Sequence, residues 1–316
     1  MIPKNPSVIV APIAALLGHI MNFFFEIAYD LSPANSLGIS IIILTIITRA
    51  IMLPLGIKTQ KSMNEMAALN PEVQKIQKKH SDDPQKAQVE IQALYAKHKV
   101  NPLGGCLPMI IQLPIFMALN YIMQSSAVYI KRLGGVYDAL AAGVMSVPDY
   151  VANIKDLAWP HVPKGMTIDL AVKGDLLKVL YKFTQDDWTA LFSRLPAQAS
   201  GSLAPFFAQK EGVEHFFGID LLANGSLSFP AVLLPVLAAL FTFLSSWLAM
   251  KLNGTRAMDD AMKNQQRVMM IMMPVFIGWM CLSFSAGVGV YWVASNMFQL
   301  IQQIALNKIF AKKEQA

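Results

Sequence analysis

The 316-residue chain is 54% hydrophobic and only 15% charged, with a mean hydropathy of +0.43 and a formal net charge of +6. Soluble domains carry nearer a quarter charged residues, so this balance excludes an ordinary soluble globular protein and favours a polytopic helical membrane protein. The two cysteines, Cys106 and Cys281, fall in separate apolar segments expected near opposite faces of a bilayer, which argues against a structural disulfide and against metal ligation by the pair.

The opening MIPKNPSVIV has a single Lys4 and no small-residue cleavage pattern, so neither a cleavable signal nor a lipoprotein anchor is expected. Residues 1–36 are expected to be an extracytoplasmic amino terminus. Within it, residues 7–30 are apolar, yet His19, Asn22, Glu26 and Asp30 recur at steps of three and four and form one polar stripe. An amphipathic helix lying in the membrane interface explains that stripe better than a spanning helix. The turn SPANS follows, and then a first span over 37–57.

That span contains IIILTIITRAIMLPL, an apolar run broken by Arg49. As a helix it rises about 30 Å, matching the hydrocarbon thickness of a bilayer and placing Arg49 near the middle. A charge at that depth costs at least about 2.5 kcal/mol on insertion scales, which calls for a reason.

Residues 58–101 change character, with charged and Gln residues dominating. Met63, Met66, Leu69, Val73 and Ile76 keep one helical apolar stripe, and Ala87, Ile91, Leu94 and His98 keep another. Between them SDDP allows Asp83 to cap a helix that starts at Pro84. Two helices with one seam each predict an antiparallel hairpin, on which Met63, Met66, Pro84 and Tyr95 are the candidate recruitment residues. NPLGGCLP returns the chain to the membrane for a second span, 107–124. Residues 127–225 form a long polar region with short amphipathic pieces such as DLLKVLYKF and DWTALFSRL; the GG at 134 within it reads as punctuation. The remaining spans are 230–250, 268–283 and 287–306, separated by a basic loop, 251–267, and followed by a basic tail, 307–316.

Hairpin, loop and tail carry eight, four and three Lys and Arg against eight acidic residues together, whereas 127–225 carries nine basic and ten acidic. The positive-inside rule therefore puts hairpin, loop and tail in the cytoplasm, and five spans leave the amino terminus outside.

Polar residues recur inside the spans: Thr45 and Arg49 on the first, Gln112 and Asn120 on the second, and Asn296, Gln299 and Gln303 on the fifth. Each amide alone is satisfied by a helix-to-helix hydrogen bond. Arg49 differs, because no expected span interior holds an Asp or Glu to pair with it. A cavity wet from the cytoplasmic side, with an unpaired cation that attracts anions, accounts for it. There is no P-loop, HExxH, CxxC or intramembrane acidic pair, so neither enzyme activity nor a metal or other cofactor is expected.

LGISIIILTIITRAIMLPL, KTQKSMNEMAALNPEVQKIQKK and LYAKHKVNPLGGCLPMIIQLPIFMALNYIM, with LLPVLAALFTFLSSWLAMKL and MMPVFIGWMCLSFSAGVGVYWVASNMFQLIQQ, resemble the core of the YidC/Oxa/Albino membrane protein insertases over roughly residues 10–126 and 216–308. The resemblance implies an all-α polytopic protein of five transmembrane helices, with an interfacial amino-terminal helix, a cytoplasmic helical hairpin and a groove open to cytoplasm and lipid. The family's groove arginine falls on Arg49. Lack of a large exported domain near the start implies a Gram-positive-type member in the bacterial plasma membrane. Ser285 stands where the family usually has proline. The implied partners are nascent membrane proteins and the lipid bilayer, with ribosome and Sec translocon as candidates and no specific nucleic-acid sequence. The competing reading is a small secondary transporter with an arginine anion site; an odd span count, no detectable inverted repeat and the projecting hairpin weigh against it.

Overall fold

The computed structural model describes residue 8 and residues 10–101, 107–162, 165–224, 227, 229–252 and 260–314. Lys4 and Cys106, and the loop residues 253–259, lie outside them. The chain is helical: α1 Val10–Leu31, α2 Ser36–Ala68, α3 Asn70–Lys79, α4 Pro84–Lys97, α5 Leu107–Gln124, α6 Ser126–Tyr129, α7 Lys131–Met145, α8 Tyr150–Ala158, α9 Lys173–Leu180, α10 Gln185–Arg194, α11 Ala197–Glu214, α12 Leu233–Leu252, α13 Asp260–Ser283 and α14 Ala286–Glu314. A short antiparallel hairpin, β1 His215–Phe216 with β2 Ile219–Asp220, interrupts this pattern between α11 and α12.

By length and composition α1, α2 and Leu233–Lys251 suffice to cross a bilayer, and Ile110–Gln124 and Met270–Ser283 are shorter apolar helices. Helices run on past the expected ends of several spans. α2 continues from its apolar half to Ala68, since Lys61, Glu65 and their neighbours favour helix, with the exposed Lys61 and Glu65 one turn apart at 3.9 Å. α14 likewise runs through most of the expected tail to Glu314.

The chain divides into two compact units. The first holds Met1–Leu44, Pro114–Ala231 and Ser283–Val290. Here the polar region 127–225 folds into a helical domain with its own core, in which Leu140, Ile154, Leu176, Leu180, Trp188 and Leu191 are fully buried. Tyr137 meets Tyr181 edge-to-face at 4.7 Å, and Trp188 packs between Phe183 and Phe207. Beneath this aromatic layer the buried Lys210 ammonium lies 2.8 Å from the Glu214 carboxylate, which also accepts the Tyr137 hydroxyl at 2.8 Å. A buried ion pair survives only with such extra hydrogen bonds to offset desolvation. The GG at 134 is not punctuation: it lies inside α7, where Gly134 passes against the Ala127 carbonyl of α6.

This domain grips α1. Asn22 Oδ1 accepts the Lys131 N–H at 2.8 Å, Glu26 pairs with Arg132 at 2.8 Å, and the same guanidinium lies 4.2 Å over the Tyr29 ring. Gln209 donates to the Tyr29 hydroxyl at 2.9 Å. Two members of the polar stripe thus face protein, while Leu16, Phe23, Ile27 and Leu31 remain exposed on another side of α1.

The second unit holds Thr45–Leu113, Val232–Leu282 and Tyr291–Ala316. Ala238, Ile277 and the free thiol Cys281 form a buried apolar cluster with Trp292 and Val293 against it, joining α12, α13 and α14. α3 and α4 pack as a hairpin over Val73, Ala87 and Ile91. Asp83 caps α4 by accepting the Lys86 N–H at 3.1 Å with Pro84 in the first turn, and Glu90 bridges back to Lys79 and His80 of α3. These pairs are exposed and screened by solvent, so the apolar seam does most to hold the arms together.

Candidate site around Arg49

Within the second unit, α2 presents Thr45 and Arg49 one turn apart. Thr45 is fully buried, and its carbonyl accepts the Thr48 hydroxyl at 2.9 Å. Arg49 is half-buried. Its Nε donates to Ser295 Oγ of α14 at 2.7 Å, and its Nη2 donates to the same oxygen. One turn earlier on α14, Tyr291 receives a hydrogen bond from Gln112 Nε2 of α5 and adjoins Ser295. A polar chain therefore runs Gln112, Tyr291, Ser295, Arg49 between apolar helices. Among the described residues no carboxylate lies within ion-pairing distance of Arg49.

Asn296 is buried and donates to Thr242 Oγ1 of α12 at 3.1 Å; Thr242 in turn donates to the Ala238 carbonyl at 2.7 Å. Gln299 and Gln303 follow along α14, both half-buried, and Gln303 Oε1 is buried without a hydrogen-bond partner. Asn120 belongs to the first unit, where its Oδ1 is likewise buried and unpartnered. The second unit thus gathers Thr45, Arg49 and Gln112, and joins Asn296 to α12. Sequence reasoning missed Tyr291, Ser295 and Thr242. For Tyr291 and Ser295 the signal lay in the spacing 291, 295, 299 and 303, which aligns polar groups every fourth residue on α14; Thr242 carried no such signal.

The arrangement holds a cation by a neutral hydroxyl. A guanidinium has five N–H donors, and Ser295 engages its Nε and Nη2, so the fork keeps capacity for a planar anion such as a carboxylate.

On the hairpin, Met63 and Met66 are half-buried and Pro84 is exposed. Tyr95 lines a shallow hollow with Gln92, Ala96, Lys99, Val100 and Asn101, and burial pushes its phenol above the ordinary range. Ser62 of α2 donates to the Asn101 carbonyl at 3.4 Å, tying the hairpin's end to its beginning.

A helical protein with several membrane-length apolar segments, which places a hydrogen-bonded cation among them, belongs to the class of polytopic membrane proteins. Residues 29–314 match the family described as 60Kd inner membrane protein, and the chain belongs to that family. It is 30% identical over 308 residues to a Chlamydia muridarum protein named membrane protein insertase YidC, covering 97% of this chain and 29% of that one. A protein of the same name from Oceanobacillus iheyensis is 27% identical over 312 residues, covering 97% and 85% of the two chains. One from Fusobacterium nucleatum subsp. nucleatum is 50% identical over 94 residues, covering 30% and 46%. The chain spans only about 29% of the length of the chlamydial relatives it matches. The likeness to the YidC/Oxa/Albino group read in the sequence is borne out.

Proposed function

We propose that this chain is a membrane protein insertase that takes hydrophobic segments of newly made proteins into the bilayer, with Arg49 attracting the polar or acidic tail that must cross. The observation that carries the reading is the Arg49–Ser295 pair: a cation in an apolar helix, oriented by a neutral group rather than by a carboxylate. A structural arginine at such depth pairs with a carboxylate or with backbone carbonyls. Family membership and the names of the relatives support the same reading.

In this mechanism the client's apolar segment partitions into lipid, gaining a few tenths of a kcal/mol for each of roughly twenty residues, which offsets moving a short polar tail. Arg49 and the polar side chains of Thr45, Gln112, Asn296, Gln299 and Gln303 receive that tail. The membrane potential adds about 2.3 kcal/mol per charge per 100 mV, favouring outward movement of acidic residues. The hairpin, the loop at 251–267 and the tail lie in the cytoplasm, the amino terminus and the helical domain lie outside, α1 rests in the interface, and five helices cross. Met63, Met66, Pro84 and Tyr95 offer the hairpin's contacts to incoming partners.

The test is crosslinking. A photoreactive residue in the acidic tail of a ribosome-bound nascent client crosslinks to this chain, and Arg49→Ala removes the product. Saturable binding of a small carboxylate or phosphate, with no nascent-chain product, makes the chain a small secondary transporter instead.

A further inference from the structure

The hairpin formed by β1 and β2 ends in a turn whose chemistry is unusual. Phe217 and Gly218 both take positive φ, 49° and 79°. Turns of that shape favour Asn, Asp or Gly at both positions, and a bulky aromatic residue there is strained. The Phe217 side chain gains no internal packing in return: it is 77% exposed. Leu227 and Phe229 are 75% and 79% exposed. Phe229 shares the Phe217 end of the domain, because a Cβ on Gly218 would sit 3.8 Å from its neighbour Pro230, and Leu227 precedes it by two residues. Leu31, four residues before Asn35, is 83% exposed as well.

Asn35 fixes the height of this cluster. Its Oδ1 accepts the Phe217 N–H at 2.9 Å, and its own N–H donates to the Gly212 carbonyl at 3.3 Å. The next residue begins α2, whose apolar run follows directly. Gly38, on the first turn of α2, leaves the space into which the Phe216 ring packs; any Cβ there would collide with it. The turn is therefore pinned to the very start of a membrane-length apolar helix. Leu227 and Phe229 also precede α12, the next membrane-length helix, by a few residues. Charge is absent from the tip: the single acid of the hairpin, Asp220, points its carboxylate back to the Leu222 and Ala223 N–H groups.

We infer that Phe217, Leu227 and Phe229 form an apolar wedge seated in the headgroup–acyl boundary of the bilayer leaflet beside the helical domain, anchoring that domain to the lipid surface. The occupant is lipid because the wedge is continuous with the apolar start of α2 and its tip carries no charged side chain. Aromatic side chains concentrate at this depth.

The experiment places a nitroxide at each position in turn, using Phe217→Cys, Leu227→Cys and Phe229→Cys in a background with Cys106→Ser and Cys281→Ala, reconstituted in phosphatidylethanolamine–phosphatidylglycerol vesicles. Asp186→Cys, on the exposed start of α10, is the aqueous reference. Collision of the label with a water-soluble nickel chelate falls about tenfold at 217, 227 and 229 relative to 186, while collision with oxygen rises, as expected for side chains seated several ångströms into the boundary. Nickel accessibility equal to that at 186 overturns the inference. Low accessibility to both agents, indicating a protein cover such as a second copy, also overturns it. The three positions are read separately, so loss of one variant to misfolding leaves two independent tests.

Discussion

The Nε of Arg49 lies 2.7 Å from the Oγ of Ser295, across 246 residues of sequence, and this pair fixes where the guanidinium points. On the proposed mechanism the charge is functional and the hydroxyl is its positioning partner. Arg49→Lys keeps much of the insertion of clients with acidic tails, since Lys retains charge while losing the planar fork. Arg49→Ala abolishes insertion of those clients with the protein still folded, and the loss is steepest for tails richest in Asp and Glu. The measurement is protease protection of the translocated tail in proteoliposomes. If Arg49→Ala unfolds the protein, the residue is a structural hub.

Ser295→Ala releases the guanidinium without removing it. The expected loss is about 1 kcal/mol of orientation, roughly a fivefold slower insertion of acidic-tailed clients, with Ser295→Thr near normal. Insertion rates measured across tails of graded charge check this, because a purely structural serine would slow neutral-tailed clients equally.

On the proposed mechanism the hairpin is a recruitment element outside the lipid. Deleting 62–98 leaves membrane helices that fold, and insertion stops. Circular dichroism with size-exclusion elution checks the fold, and normal insertion by the deletion variant would sink the assignment.

Topology has its own test. In a cysteine-free background a membrane-impermeant maleimide labels Asp186→Cys and His19→Cys in intact cells, whereas Gln85→Cys labels only after permeabilisation. All three sites are exposed, so failure to react reports on the membrane side rather than on packing.

Two neighbouring glycines in α7 separate tight packing from mere helix propensity. A Cβ on Gly134 would sit 2.5 Å from the Ala127 carbonyl oxygen, whereas one on Gly135 meets nothing within 4 Å. Gly134→Ala therefore destabilises the helical domain by about 1–3 kcal/mol. Gly135→Ala leaves it unchanged or stabilises it by up to about 1 kcal/mol. Urea unfolding followed by tryptophan fluorescence, which reports the buried Trp188, measures both.

The helices that carry function are largely legible in the amino-acid sequence. Apolar length marks α2 and α12, and SDDP announces the Asp83 cap and Pro84 start of α4, because capping is a local interaction between residues three apart. Contacts at long range are not legible in this way. Nothing local links Arg49 to Ser295, and the polar row on α14 gives no warning of which helix supplies its partner. The stripe on α1 is visible, but its partners Lys131 and Arg132 sit in a region that reads only as polar and mixed in charge. The core of that region is assembled from short amphipathic pieces whose mutual packing no periodicity encodes. Tyr137 of α7 in particular meets the Lys210–Glu214 pair of α11, 77 residues further along the chain at Glu214. Phe217 is hidden for the opposite reason: the positive φ of its turn contradicts the residue's own preference.

The unbroken course of α2 from Ser36 to Ala68 sets a phase relation between two parts of the molecule. Arg49 and Met63 ride on one screw, with Pro54 between them but no flexible linker, so their bearings around the axis are locked together. Adding or removing a single residue between them would turn the hairpin by about 100° relative to the guanidinium, while four would bring it back to within about 40°. The segment 50–62 therefore tolerates changes of residue type far better than changes of length, and on the proposed mechanism its length keeps recruitment and reception in step.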